Sequence, residues 1–123
     1  MANILIVEDE AIIAMESKMN LLSIGHEVKA IVSTAEEAIL SYHRLSPDLI
    51  IMDITLDGEM DGLDALKEIR KHSNVPAIFI TGNSDAKTRS KINELSNIAY
   101  LQKPILTKDL ITEVEKMLPQ SVV

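Results

Sequence analysis

Short apolar segments alternate with segments of helical periodicity along the whole of this 123-residue chain. Each apolar segment is strand-sized, and most are bounded by polar residues, glycine or proline. Strict alternation requires right-handed crossovers and produces a parallel sheet with helices on both faces. The predicted strands are 4–7, 28–32, 48–53, 77–80 and 98–101.

The apolar content of the strands predicts their order in the sheet. Segments 4–7, 49–52 and 77–80 are apolar throughout, as expected of central strands that are buried on both faces. The second strand is interrupted by Lys29 and the fifth is short, which favours edge positions. We therefore predict an α/β fold, a flavodoxin-like, doubly wound parallel sheet of order 2-1-3-4-5 with five helices on its two faces.

The first helix carries an apolar stripe formed by Ile12, Met15, Met19 and Leu22. Because these residues recur at helical spacing, we predict that the stripe faces the core. Thr34 opens the second helix in a capping-box pattern, and Thr107 is the predicted cap of the last helix, which Pro119 ends. The helix predicted at 84–96 has a thin apolar face, so we expect it to be weakly held.

Composition and charge exclude several classes of protein. The net charge of −7, without a cluster of Lys or Arg, argues against direct binding to nucleic acid or to an anionic membrane. The absence of cysteine excludes disulfides and thiolate metal sites and suits a reducing compartment. The sequence shows neither a signal peptide nor an apolar run near the ~20 residues that span a bilayer. We expect a cytoplasmic single domain, 1–123, with its core at about 3–118 and no output domain.

Polar side chains stand where the predicted strands end. Glu8 and Asp9 follow the first strand, and Asp53, Thr81 and Lys103 follow the third, fourth and fifth. The carboxyl ends of parallel strands share one edge of the sheet, so we expect these groups to meet there. A divalent cation would relieve the repulsion between the carboxylates, and oxygen ligands without His or Cys indicate Mg²⁺. A cation, an ammonium and a hydroxyl around one carboxylate can hold a phosphoryl group, and carboxylates can form acyl phosphates.

These segments resemble the receiver domain of two-component response regulators over essentially the whole chain. The matching pieces are ILIVEDE at 4–10, LIIMD at 49–53, ITG at 80–82 and YLQKP at 100–104. The resemblance implies a phosphorylation-dependent signalling switch. In it, Asp53 accepts a phosphoryl group from the phosphohistidine of a sensor histidine kinase or phosphotransfer protein, and a downstream protein reads the result. It implies no enzymatic activity beyond phosphotransfer to itself and autodephosphorylation.

The resemblance also implies a metal site. Asp9 and Asp53 would bind Mg²⁺ (or Mn²⁺), Glu8 would assist through water, and the backbone carbonyl of Thr55 would complete the protein ligands.

A second set of implied roles concerns the response to phosphorylation. Lys103 would contact the phosphoryl oxygens, and the hydroxyl of Thr81 would do so once the group is attached. Tyr100 would then swing into the space that Thr81 leaves, which would shift the face formed by helix 4, strand 5 and helix 5. The Lys103-Pro104 peptide bond is cis in the family.

The sequence departs from the family pattern at three places. Asp57 stands where the family has proline, in a loop one residue longer, which we expect to affect partner fit or metal access. Segment 96–99 lacks an acidic residue that one dimerising subgroup uses, so we expect a monomer or a weak, phosphorylation-dependent dimer. Ile105 replaces a usual aromatic residue.

Two alternative functions compete with the phosphorylation switch. A degenerate receiver would bind a partner without phosphorylation, although every chemical position above is retained. A Mg²⁺-dependent phosphohydrolase would require a second Asp where Thr55 stands. Segment 57–68 nearly matches a calcium-binding loop, but it follows a strand and carries Glu59 where Asp or Asn is usual, so we expect a solvated turn there.

Overall fold

The computed structural model describes residues 2–56, 58–82 and 86–118. The strands are β1 (Asn3–Val7), β2 (Glu27–Val32), β3 (Leu49–Asp53), β4 (Ala77–Thr81) and β5 (Ile98–Gln102). The helices are α1 (Ala11–Ser23), α2 (Ala35–Leu45), α3 (Gly62–Ile69), α4 (Ala86–Asn93) and α5 (Thr107–Met117). All strand pairs are parallel, and the sheet order is β2-β1-β3-β4-β5. The predicted fold and strand order are confirmed.

Two apolar layers cover the two faces of the sheet. On one face, Ile50 and Phe79 pack with α2, α3 and Ile92 of α4. On the other face, Ile51 and Ile78 pack with α1 and α5. Alternate residues of a strand point to opposite faces, so strands covered on both sides must be apolar throughout. The partly exposed β2 and β5 lie at the sheet edges, as predicted.

The apolar stripe of α1 faces solvent, so the predicted orientation of this helix is wrong. Ile12 is 76% exposed and Met19 is 66% exposed, while Met15 and Leu22 are about half exposed. The residues that face the sheet are Ala14, Ser17 and Leu21. Small side chains allow the helix backbone to lie close to the sheet, and this close packing outweighs the greater hydrophobicity of the opposite stripe.

The two predicted helix caps have different outcomes. Thr34 caps α2 as expected, because its Oγ1 accepts a hydrogen bond of 3.1 Å from the backbone N–H of Glu37. Thr107 does not cap α5, since it is the first helical residue and follows Leu106, which makes no side-chain cap. The Oγ1 of Thr107 instead accepts a hydrogen bond of 3.3 Å from Nδ2 of Asn20, which joins α5 to α1.

Helix α4 is shorter than the predicted segment 84–96. It spans Ala86–Asn93, where Ile92 is the buried residue, and it ends before Leu95, which packs on the core from the following turn. Ser84, Asp85 and Pro119 lie outside the described residues. No helix in the described ranges is both long and apolar enough to cross a bilayer.

Candidate functional site

Four carboxylates meet at the carboxyl ends of β1 and β3. One carboxylate oxygen from each of Glu8, Asp9, Glu10 and Asp53 lies within 4.8 Å of the others. Glu8 and Asp53 are buried, whereas Asp9 and Glu10 are exposed. This all-oxygen donor set, open to solvent on one side, has the chemistry that Mg²⁺ prefers.

The Asp53 carboxylate is held through both of its oxygens. Its Oδ1 accepts a hydrogen bond of 3.0 Å from the backbone N–H of Thr55, and its Oδ2 lies 2.8 Å from Nζ of Lys103. The backbone N–H of Ile54 donates to the carbonyl oxygen of Ile80 at 3.0 Å, which continues the pairing of β3 with β4 past Asp53. The side chain is therefore fixed at the rim of the sheet, with its charge paired.

Gly62 allows α3 to begin directly against the end of β3. Its backbone N–H donates a hydrogen bond of 2.9 Å to the carbonyl oxygen of Ile54. A Cβ at this position would collide with the backbone carbonyl oxygen of Asp53 and lie 3.0 Å from Cγ of Met52. The strand that carries Asp53 and the start of α3 can approach this closely only because residue 62 has no side chain.

Asp61, Asp64 and Glu68, in the segment that nearly matches a calcium-binding loop, have structural roles. Asp61 and Asp64 form a capping box at the start of α3, in which each carboxylate accepts from the other's backbone N–H. Glu68 forms an ion pair of 2.7 Å with Lys71. Asp57, the first residue of that segment and the first departure from the family pattern, lies outside the described residues.

Lys103 contacts three carboxylates at once. Its Nζ lies 2.8 Å from Asp53 Oδ2, 3.0 Å from Glu10 Oε1 and 3.3 Å from Glu8 Oε1. Burial alone would lower the pKa of Lys103, but the hydrogen bonds to Asp53 and Glu10 and the charges of Asp53 and Glu8 raise it above its ordinary value. The side chain is therefore a fixed ammonium ion, 17% exposed.

The site alters the protonation of the Glu8 carboxyl group. Burial raises the pKa of Glu8 to about 7, and the neighbouring Asp53 carboxylate adds to this effect. The backbone N–H of Glu10, 3.1 Å from Glu8 Oε2, and the charge of Lys103 act in the opposite direction. A cation bound here would compete with a proton on Glu8 at neutral pH.

Thr81 and Tyr100 lie on the two strands beyond Asp53. Thr81 is buried at the end of β4, and its carbonyl oxygen accepts a hydrogen bond of 2.8 Å from the backbone N–H of Lys103. Tyr100 pairs with Phe79 in the sheet register and is partly buried against the apolar layer of α2 and α3. The Lys103-Pro104 peptide bond is cis.

The structure brings together at one sheet edge the side chains of Glu8, Asp9, Asp53 and Lys103, as expected from the sequence. It places Thr81 at the end of the adjacent strand and Thr55 against Asp53 through its amide. Glu10 also belongs to this group, and the sequence prediction missed it. The unbroken acidic run Glu8-Asp9-Glu10 was the available signal.

Comparison with known sequences identifies related proteins. Residues 4–115 match the family described as "Response regulator receiver domain". "Probable transcriptional regulator ycf27" of Guillardia theta is 36% identical over 115 residues, which cover 94% of this chain and 44% of that protein. "Transcriptional regulatory protein PdtaR" of Mycobacterium tuberculosis is 33% identical over 112 residues, covering 91% of this chain and 54% of that protein. The chain thus spans about half the length of these curated relatives.

Solved structures show the same fold. A "response regulator receiver domain protein (CheY-like)" from Methanospirillum hungatei has a TM-score of 0.86 at 28% identity, covering 95% of this chain and 94% of that chain. The "signal receiver domain of modulated diguanylate cyclase" from Desulfovibrio desulfuricans has a TM-score of 0.87 at 31% identity, covering 95% and 93%. From its sequence match, its fold and the residues at its sheet edge, this chain belongs to the response regulator receiver domain family of two-component systems.

Proposed function

We propose that this chain is a switch whose Asp53 accepts a phosphoryl group from the phosphohistidine of a sensor histidine kinase or phosphotransfer protein. The observation that carries the proposal is the buried Asp53 carboxylate at the end of a central strand, 2.8 Å from Nζ of Lys103. A buried charge is costly unless it is paired, and here a lysine from another strand end supplies the pair. Receiver domains are signalling domains, which supports the same role.

Receiver domains bind Mg²⁺ at an acidic pocket, and the donor set of this chain fits that ion. We assign as its ligands the carboxylates of Asp9 and Asp53 and the backbone carbonyl of Thr55, with Glu8 assisting through water. When bound, Mg²⁺ (or Mn²⁺) would neutralise negative charge on the phosphoryl oxygens.

The transfer step uses the carboxylate of Asp53 as the nucleophile. An Asp53 oxygen bonds to phosphorus while the bond between phosphorus and the donor's imidazole nitrogen breaks. The electron pair of the broken bond remains on the imidazole, and the product is an aspartyl phosphate. Lys103, whose Nζ lies 2.8 Å from Asp53 Oδ2, then donates to the phosphoryl oxygens.

The signal passes from Asp53 through Thr81 to Tyr100. The backbone N–H of Lys103 donates to the carbonyl oxygen of Thr81, so the ends of the two strands that carry these residues are hydrogen-bonded to each other. The Thr81 hydroxyl turns to the phosphoryl group, and Tyr100 fills the space that it leaves. This movement shifts the face formed by α4, β5 and α5. Helix α4 is suited to moving because Ile92 is the buried residue within it.

The exposed stripe of α1 supports a helical protein as the phosphoryl donor. Ile12, at the start of the stripe, follows closely after Glu10 of the acidic group. Apolar residues along the stripe alternate between spacings of three and four, which is the spacing of a seam between paired helices. A donor helix packed on this face would lie next to the mouth of the site.

The experiment that tests the function is incubation with a small phosphoryl donor and Mg²⁺, followed by intact mass measurement. We expect one added phosphoryl group in the parent and none in Asp53→Asn. Asp48→Asn is the matched control, because Asp48 lies just before β3, at the opposite end from Asp53, and accepts a hydrogen bond of 2.8 Å from the backbone N–H of Asn3. It should be phosphorylated normally.

Two other results would overturn the proposal. Absence of uptake in the parent with several donors and metals would favour a receiver that binds its partner without phosphorylation. Steady turnover of unrelated phosphate esters would favour a phosphohydrolase, which the presence of Thr55 in place of a second Asp argues against.

A further inference from the structure

Glu10 contacts the central lysine but has no part in the function proposed above. Its Oε1 lies 3.0 Å from Nζ of Lys103, although its side chain is 61% exposed. Its carboxylate also lies within 4.8 Å of the Asp53 carboxylate. Glu10 therefore places a negative charge at the solvent side of the site, where a phosphoryl donor must enter.

Lys103 does not cancel this charge. The single ammonium is shared by the carboxylates of Glu8, Glu10 and Asp53, and the exposed Asp9 adds a further negative charge beside them. A phosphoryl donor is itself an anion, so it is repelled by Glu10 as it approaches Asp53. At the separations within this group, Coulomb's law in a largely aqueous environment gives roughly a three- to fivefold effect on rate for each unit of donor charge.

We propose that Glu10 is a specificity-determining residue that disfavours small dianionic acyl phosphates relative to less highly charged phosphoryl donors. The proposal rests on phosphorylation of Asp53. With acetyl phosphate, Asp53 oxygen bonds to phosphorus, the phosphorus–oxygen bond breaks, and acetate leaves with the electron pair. With phosphoramidate, whose protonated nitrogen makes it a monoanion, the phosphorus–nitrogen bond breaks and ammonia leaves with the electron pair. The acceptor is the same in both reactions, and the charge of the entering donor differs.

Glu10→Gln tests the charge without deleting the contact, because the glutamine Oε1 can still accept a hydrogen bond from Lys103. Initial rates of phosphorylation are measured by intact mass with each donor, at Mg²⁺ concentrations raised until the rate stops changing. We expect the rate with acetyl phosphate to rise about tenfold and that with phosphoramidate about threefold, so that the ratio of the two rises about threefold. At about 1 M salt, where the Debye length is roughly 3 Å, the change in ratio should disappear.

Two further variants make the test specific. Glu27→Gln removes the same charge at the amino-terminal end of β2, whereas the site lies at the carboxyl ends of the strands. It should leave the ratio unchanged. Glu10→Ala removes both the charge and the contact with Lys103, and it should give the same ratio as Glu10→Gln.

The outcomes separate this inference from the function on which it rests. An unchanged ratio in Glu10→Gln, with equal slowing of both donors in Glu10→Ala, would mean that Glu10 only positions Lys103, and the inference would be overturned. A change in ratio that persists at high salt would overturn it as well. Failure of the parent to accept a phosphoryl group from either donor would overturn the proposed function and this inference together.

Discussion

Nζ of Lys103 lies 2.8 Å from Oδ2 of Asp53, a contact that joins the end of β5 to the end of β3 across the intervening β4. Three strand ends are thereby connected, because the backbone N–H of Lys103 also donates to the carbonyl oxygen of Thr81 at the end of β4. A change in charge at Asp53 therefore acts directly on the ammonium group of Lys103, the residue whose backbone is bonded to Thr81.

Replacing Lys103 should separate metal binding from signalling. Lys103→Ala retains the oxygen ligands, so it should still bind Mg²⁺, but its phosphorylated form should lose the response of Tyr100. Tyrosine fluorescence in a Tyr42→Phe background reports on Tyr100 alone, since the chain has two tyrosines and no tryptophan. Lys108→Ala, an exposed lysine of α5, is the matched control and should respond as the parent does. A normal Tyr100 response in Lys103→Ala would contradict the role assigned to this lysine.

Gly62→Ala should lower the free energy of unfolding by about 1–3 kcal/mol, even though alanine favours helices. The added Cβ would collide with the carbonyl oxygen of Asp53 and force α3 away from β3. Urea unfolding measures the change. Gly82→Ala is the control, because the nearest atom to a Cβ there is Cδ of Lys103 at 4.0 Å, and it should change stability by less than about 1 kcal/mol. Equal effects of the two substitutions would show that the close approach at Gly62 is not limiting.

Arg70 joins two turns at the amino-terminal side of the sheet. Its Nη2 donates to the carbonyl oxygens of Val75 at 2.9 Å and Asn97 at 2.8 Å, and its Nη1 donates to that of Ser96. Lysine lacks the planar fork that makes these bonds together, so Arg70→Lys should destabilise the fold by about 1–3 kcal/mol in urea unfolding. Arg44→Lys, on the exposed side of α2, should be nearly neutral, and a similar loss of stability there would argue against the bridging role of Arg70.

The exposed stripe of α1 should matter for a protein donor and not for a small one. Met19→Glu puts a charge on a side chain that is 66% exposed, so the fold should be little affected. Transfer from a phosphohistidine protein should slow at least tenfold, because a charge in an apolar helix seam is costly. Labelling by phosphoramidate should be unchanged. Leu40→Glu, at an exposed leucine of α2, is the control and should affect neither donor.

The sheet order could be predicted from the sequence because strands that are buried on both faces are apolar throughout. Helices cover β3 and β4 on both faces, so consecutive residues such as Ile50 and Ile51, which point to opposite faces, must both be apolar. The same topology determines where strands end, so the meeting of Asp53 and Lys103 followed from the fold without knowledge of any side-chain conformation.

Other features depend on close contacts that periodicity does not record. The inward face of α1 is selected by the small size of Ala14 and Ser17, and a scale of hydrophobicity favours the opposite stripe. The role of Thr107 is determined by Asn20, a residue distant in the chain. The contact of Glu10 depends on where the long side chain of Lys103 ends. For Thr107 and Glu10 the deciding partner is a residue distant in the chain.

The buried carboxyl group of Glu8 makes the stability of the fold depend on pH. Its pKa is raised to about 7 in the folded protein, mainly by burial, so the folded state binds a proton more tightly than the unfolded chain does. Glu8 therefore makes its full contribution to the free energy of unfolding below pH about 4.5, and this contribution is lost as pH rises through about 7. Glu8→Gln keeps the neutral form at every pH, so relative to the parent it should gain about 1–3 kcal/mol between pH 5 and pH 8 in urea unfolding without divalent ions.

Magnesium provides the complementary measurement on the same residue. A proton on Glu8 competes with the cation, so the apparent affinity of the parent for Mg²⁺ should fall as pH drops below about 7. Saturating Mg²⁺ at pH 8 should stabilise the parent, in which Glu8 is then charged, more than it stabilises Glu8→Gln. A difference in the free energy of unfolding between the two proteins that does not change with pH would show that Glu8 is ionised throughout this range. The proposed competition between proton and metal would then be refuted.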